Sequence, residues 1–191
     1  PHPEFEGLNQ VVWNESIGAG DSGARALVAP LIGADGMIFA MNARNVIHAI
    51  SADSGDALWE HEPASSPNHV GGGIAYADDA IYATYPDGTI LKLEAKTGKK
   101  IWSQHVPYII RTAPSISESR LCFLTSNNKS IALDTKTGEV IWTHTALEES
   151  LTFVGGASPA ATSLVTLVPY SSGELHALHP ANGYSLWSDT V

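Results

Sequence analysis

From about residue 27 onward the chain is written in short runs where apolar and polar positions alternate, separated by pairs of Asn, Asp, Ser and Gly. Period-two alternation, β-branched and aromatic content and turn formers between runs are what short antiparallel strands need. Residues 112–144 show the plan. TAPSIS (112–117) predicts a first strand, LCFLTS (121–126) a second, SIALDT (130–135) a third and EVIWTH (139–144) a fourth. The turns between them fall at Glu118-Ser119, Asn127-Asn128 and Lys136-Thr137-Gly138. Elsewhere Asp35-Gly36 and Asp78-Asp79 mark the first turn, and Asp87-Gly88 and Ser172-Gly173 the second. No run carries the period of a helix of useful length. VVWNES (11–16) predicts one further strand, ahead of a glycine-rich link at 17–26.

The four-strand plan repeats, and tryptophan marks the period. Trp13, Trp59, Trp102, Trp142 and Trp187 stand 46, 43, 40 and 45 residues apart. The last four close one phrase, seen as IHAISADSGDALW, ILKLEAKTGKKIW, SIALDTKTGEVIW and ELHALHPANGYSLW. Gly55, Gly98, Gly138 and Gly183 each stand four residues before the tryptophan, where a tight turn between third and fourth strands needs positive φ. Asp134 or Glu94, four residues before the glycine, can accept hydrogen bonds from turn amides. Ser51 and His179 replace the acid in the first and fourth copies, so those turns must be held otherwise. A period of this length is that of a blade, one small sheet that buries its faces only by stacking on neighbours. The indole is expected on the face of the fourth strand that meets the next blade.

The predicted fold class is therefore an all-β propeller with four four-stranded antiparallel blades. Residues 1–26 hold the surplus strand around Trp13. Blades are expected at 27–63, 64–106, 107–146 and 147–191.

These phrases, LDTKTGEVIW above all, resemble the tryptophan-docking motif of PQQ-like β-propellers over residues 27–191. VVWNESIGAGDSG, VGGGIAYADDAIYAT and GGASPAATSLVTLVPYSSGELHALHPANG are most similar to the BamB branch, in its α-proteobacterial form. The resemblance implies an eight-bladed, non-catalytic periplasmic ring of which this is the N-terminal half. It implies a tether through a lipidated cysteine upstream. Its partners would be the central barrel-folding subunit of the outer-membrane assembly machine and nascent outer-membrane proteins. In the family the N-terminal strand completes the last blade. The blade strands it would join are not in this sequence, so a half-ring would leave apolar faces open, and self-association is a possible outcome.

Composition narrows the alternatives. A formal net charge of -10 argues against nucleic acid as a partner. Cys122 is the one cysteine; it reads as a small buried hydrophobe and rules out an intrachain disulfide, including the adjacent-cysteine pair of quinoprotein dehydrogenases. A dehydrogenase of that class also needs a Ca²⁺ site of carboxylate and amide oxygens, and no such cluster stands out. Repeat-locked spacing places His48, His61, His144 and His176 on strand surfaces rather than around a metal, and no HExxH or paired Cys/His spacing occurs. Gly71-Gly72-Gly73 lacks the Lys-Ser/Thr of a phosphate loop and opens a strand, as Gly155-Gly156 does later. No catalytic, metal or cofactor residues are assigned, and no cofactor is expected.

One stretch invites binding. VPYIIRTAP (106–114) places Ile109, Ile110 and Arg111 in the loop between the second and third blades. Exposed aliphatic residues beside an arginine make a reasonable anchor. In BamB-like proteins a comparable loop contacts the barrel-folding subunit. The alternative is that Ile109 and Ile110 start a strand and pack inside. The expected function is that of a scaffold. The other readings are a fragment of a PQQ-dependent dehydrogenase and a ligand-sensing extracytoplasmic propeller.

Overall fold

The computed structural model describes residues 11–18, 29–64, 71–146 and 157–190. Within them lie four separate four-stranded antiparallel sheets and no helix. The first holds β1 (Ile32–Ala34), β2 (Met37–Met41), β3 (Ile47–Ser51) and β4 (Ala57–His61). The second holds β5 (Gly73–Ala77), β6 (Ala80–Thr84), β7 (Thr89–Glu94) and β8 (Lys100–His105). The third holds β9 (Ser115–Ser117), β10 (Arg120–Leu124), β11 (Lys129–Asp134) and β12 (Val140–Thr145). The fourth holds β13 (Ala160–Ala161), β14 (Thr166–Pro169), β15 (Glu174–Leu178) and β16 (Ser185–Thr190). Each sheet is a simple meander whose strands pair in chain order.

The turns do what their residues allow. Asp35, Asp78, Asp79, Glu118 and Asn128 take left-handed backbone angles, φ 49–55°, which Asn and Asp tolerate best among side-chain-bearing residues. In every sheet the register slips once between third and fourth strands, at Ala49/Ile50, Lys92/Leu93, Ala132/Leu133 and Ala177/Leu178. The extra residue, Leu58, Ile101, Ile141 or Leu186, stands directly before the motif tryptophan, so each bulge bends the outer strand next to the indole.

Sheets stack face to face, and the cores lie between them. Phe39, Ile47, Tyr85 and Leu93 fill the first interface. Tyr82, Ile90, Phe123 and Ile131 fill the second. Cys122, Trp142, Val168 and Leu178 fill the third. The first strands of successive sheets neighbour one another, β1 with β5, β5 with β9 and β9 with β13. Crowding on that inner side explains Gly72, where a Cβ would stand 2.1 Å from the Thr84 carbonyl oxygen. Gly155 and Gly156 lie outside the described residues.

One expectation is corrected. Residues 11–16 form no strand; Val11 and Val12 are 84% and 83% exposed. A strand exists only when a neighbour completes its hydrogen bonds, and this segment pairs with none of the described sheets.

Candidate functional site

The docking residues come first, because they fix where the loops stand. Trp59 crosses to Gly98 of the next sheet, Trp102 to Gly138 and Trp142 to Gly183. Each indole N–H donates to a carbonyl of the receiving turn: Ala95 at 2.8 Å, Thr135 at 3.1 Å and Pro180 at 2.8 Å. A Cβ on these glycines would lie 2.7 to 3.0 Å from indole carbons. The motif glycine therefore serves positive φ and also leaves room for the preceding tryptophan. Trp13 uses the same contact, lying against Gly55 and donating to Ala52 at 2.9 Å. Trp187 is half exposed and meets no receiving turn among the described residues.

The turns are held by different atoms with one result. Asp134 accepts the amides of Lys136 at 2.8 Å and Thr137 at 2.9 Å. Those bonds, from Thr137 and then Lys136, hold its carboxyl below the usual aspartate range. Ser51 Oγ accepts the Ser54 amide, and His179 Nδ1 accepts the Ala181 amide, each at 3.3 Å. Glu94 instead accepts the Thr97 hydroxyl.

The loop 106–114 lies pinned beneath the second and third sheets. Val106 N–H donates to Gly88, and Ser126 N–H donates to Ile109, at 2.9 and 2.8 Å. Ile110 forms a lone bridge with Thr125. The Thr84 hydroxyl donates to the Thr112 carbonyl at 2.9 Å. The three candidate residues are thereby split. Ile110 is fully buried among Tyr82, Val106 and Phe123, so its side chain belongs to the core. Ile109 remains 42% exposed, and Arg111 is half-buried. Beside them the Lys129 ammonium stands 5.1 Å from the centre of the Tyr108 ring. The exposed part is one aliphatic side chain, flanked by an aromatic ring and two cations, on a fixed backbone.

Sequence reasoning kept the histidines apart, and two of them meet. His144 of β12 lies 3.2 Å from His176 of β15, with the Tyr170 ring edge-on to His176. The signal was available: one sits six residues after its turn glycine and the other seven before the next, and stacking blades superposes those positions. The Tyr170 hydroxyl bonds Ser130 at 2.8 Å. Among the described residues no three His, Cys, Asp or Glu side chains converge on a point that could hold a metal ion.

With this geometry in view, the comparisons with known proteins are decisive for family. A family model described as outer membrane protein assembly factor BamB matches residues 43–191. The chain belongs to the BamB family. BamB of Yersinia pestis is 23% identical over 94% of this chain and 48% of its own length. An uncharacterized protein of Rickettsia conorii is 30% identical over 80% of this chain and 37% of its own. The crystal structure of BamB from Moraxella catarrhalis superposes with a TM-score of 0.74 at 19% identity, covering 85% of this chain and 49% of that one. Quinohemoprotein alcohol dehydrogenase ADH IIB of Pseudomonas putida is 33% identical, but over 51% of this chain and 16% of its own length. The chain thus spans about half, or less, of the curated relatives it matches.

Proposed function

We propose that this chain is a non-catalytic periplasmic scaffold in the assembly of outer-membrane β-barrel proteins. Nascent outer-membrane proteins are its clients, and the central barrel-folding subunit is the partner of the 106–114 loop. The observation that carries the reading is Ile109, an exposed aliphatic on a hydrogen-bonded loop beside Arg111, in a chain of the BamB family. A pinned loop loses little entropy on docking, so one apolar anchor with adjacent cations is worth more there than on a free segment. Blades at 27–63, 64–106, 107–146 and 147–191, and a lipidated cysteine upstream as tether, belong to this proposal. So does a cover for Trp187, supplied by a further blade or by a second half-ring.

The test is capture of the purified barrel-folding subunit by this chain and by Ile109→Glu and Arg111→Glu, each checked by circular dichroism. Capture should fall at least tenfold in both. Undiminished capture by both variants removes the loop from the interface.

A second reading, a fragment of a quinoprotein dehydrogenase, is favoured by the likeness to the Pseudomonas putida enzyme. The residues described here do not fit its chemistry: they bring together no Ca²⁺-binding carboxylate cluster, and Cys122 has no neighbouring cysteine. Calcium-dependent PQQ binding by this chain would restore that reading.

A further inference from the structure

The segment around Trp13 is tied to the first sheet at two ends. Trp13 docks on the turn between β3 and β4. Ile17 is held at the opposite end of those strands, in the loop between β2 and β3, where Asn42 Nδ2 donates to its carbonyl at 2.9 Å. Residues 11–18 join no described sheet, so no strand pairing supports the stretch between the two ties. The second tie therefore depends on the state of one side chain.

Asn42 is buried and fully committed. Its Oδ1 accepts the amides of Arg44 at 2.9 Å and Val46 at 3.1 Å. Those two donors fix which way the side-chain amide points, with its nitrogen toward Ile17 and His48. Nδ2 lies 3.0 Å from His48 Nε2, and its two protons serve one partner each. His48 Nε2 must then accept. The imidazole in this arrangement is neutral and carries its proton on Nδ1, which stands 3.2 Å from Glu60 Oε1.

His48 lies on β3 between Ile47 and Ala49, whose side chains fill the interface with the second sheet. The period of a strand turns His48 to the other face, where it is 8% exposed. Among the described residues, the charged groups on the elements around it are Glu60 of β4, Arg44 of the β2–β3 loop and Glu15 of the segment itself; β2 carries none. Only Glu60 stands within ion-pair distance. Glu60 answers an imidazolium at Nδ1, and no acceptor answers it at Nε2.

A proton on Nε2 sets N–H against N–H, and a buried donor facing a donor is costly. Asn42 has two ways out. Turning its amide over offers Oδ1 to the imidazolium, but it also sets that oxygen against the Ile17 carbonyl and Nδ2 against the two loop amides. Swinging aside abandons His48 and Ile17 together. Both lose the bond to Ile17.

We infer that Asn42 and His48 form a proton-operated latch, which holds segment 11–18 on the first sheet while His48 is neutral and frees its Ile17 end when His48 is protonated. Nothing in this inference depends on docking to the assembly machine. The test places a nitroxide on the whole chain at the exposed position 16, as Ser16→Cys; Cys122 is buried and stays unlabelled. Spectra are taken at pH 7.5 and 5.5, a span in which histidine ordinarily changes charge. The mobile fraction of the label should rise at least threefold at pH 5.5, with the sheet signal in circular dichroism unchanged. His48→Gln, whose amide oxygen accepts from Asn42 and does not ionise, should hold the label equally at both pH values. Asn42→Ala should leave it mobile at both, which keeps the inference open to refutation even where His48→Gln folds poorly. The latch is overturned if mobility stays constant in the parent chain, if it rises only together with loss of the sheet signal, if folded His48→Gln responds to pH as the parent does, or if Asn42→Ala holds the label as firmly as the parent at pH 7.5.

Discussion

Replacing Gly98 by alanine tests the docking geometry most directly, because the structure supplies its own control. Gly98 and Gly36 both have positive φ, 68° and 73°. A Cβ at Gly36 meets nothing within 4 Å, whereas one at Gly98 lies 2.7 Å from two carbons of the Trp59 indole. The left-handed backbone alone costs an L-residue about 1–2 kcal/mol. Gly36→Ala should lose that much and no more. In Gly98→Ala the indole must also withdraw, giving up its hydrogen bond to Ala95, worth about 1 kcal/mol. If on the order of 80 Å² of indole surface returns to water, a further ~2 kcal/mol is lost. The expected total is about 4–5 kcal/mol, against about 1–2 for Gly36→Ala. Urea titration read by tryptophan fluorescence measures both, and the emission of folded Gly98→Ala should shift red as Trp59 is uncovered. Equal losses in the two variants would refute the receiving role of the motif glycine.

Further outcomes follow from the same contacts. Ile110→Ala should cost about 2–5 kcal/mol as a core truncation, while Ile109→Ala should stay within about 0.5, both by urea unfolding. Asp134→Ala should cost about 1 kcal/mol by loss of two amide acceptor bonds, and a neutral result would deny it the turn. Burial and then His176 hold His144 below the ordinary histidine value, and burial and then Lys100 do so for His61. The unfolded chain takes up those protons near pH 6.5 and the folded chain only lower, so stability is full above about pH 6.5 and falls as pH drops below it. Thermal unfolding at pH 7.5 and 5.5 checks this: Tm should fall, less so in His144→Gln, and a rise on acidification contradicts the assignment. Burial pushes the Cys122 thiol up to about 12, so a thiol reagent at pH 8 should label it only in urea; prompt labelling of the folded chain would disprove that.

The architecture was legible because one spacing repeats four times and each copy corroborates the others. Turn residues gave the meander of each sheet, down to Asn128 with φ 54°. What was not legible depended on the neighbouring sheet. Positive φ explains Gly98 from its own turn, but the second reason for glycine is the Trp59 ring of the previous blade, distant in sequence. The segment around Trp13 has strand composition and still forms no strand, since pairing depends on a partner and composition does not. Ile109 and Ile110 are identical residues in adjacent positions; only the bridge to Thr125 decides which of them is buried.

The same comparison of copies separates what holds this fold from what the chain does with it. At the docking turns the side chain four residues before the glycine changes from Asp134 to Ser51 to His179, yet each accepts a turn amide. Glu94, in the remaining copy, takes the Thr97 hydroxyl instead. At the interfaces the changes are not equivalent. Ser130 bonds the Tyr170 hydroxyl, whereas Ile47, at the same place in the first blade, offers the Tyr85 hydroxyl no polar atom. A scaffold that needed only rigidity would gain by satisfying Tyr85 or replacing it with phenylalanine, since an unpaired buried hydroxyl opposes stability. The Tyr82 hydroxyl is also without a partner among the described residues, so replacing either tyrosine by phenylalanine should leave the unfolding temperature unchanged or raise it, and a fall would show that the hydroxyl is held after all.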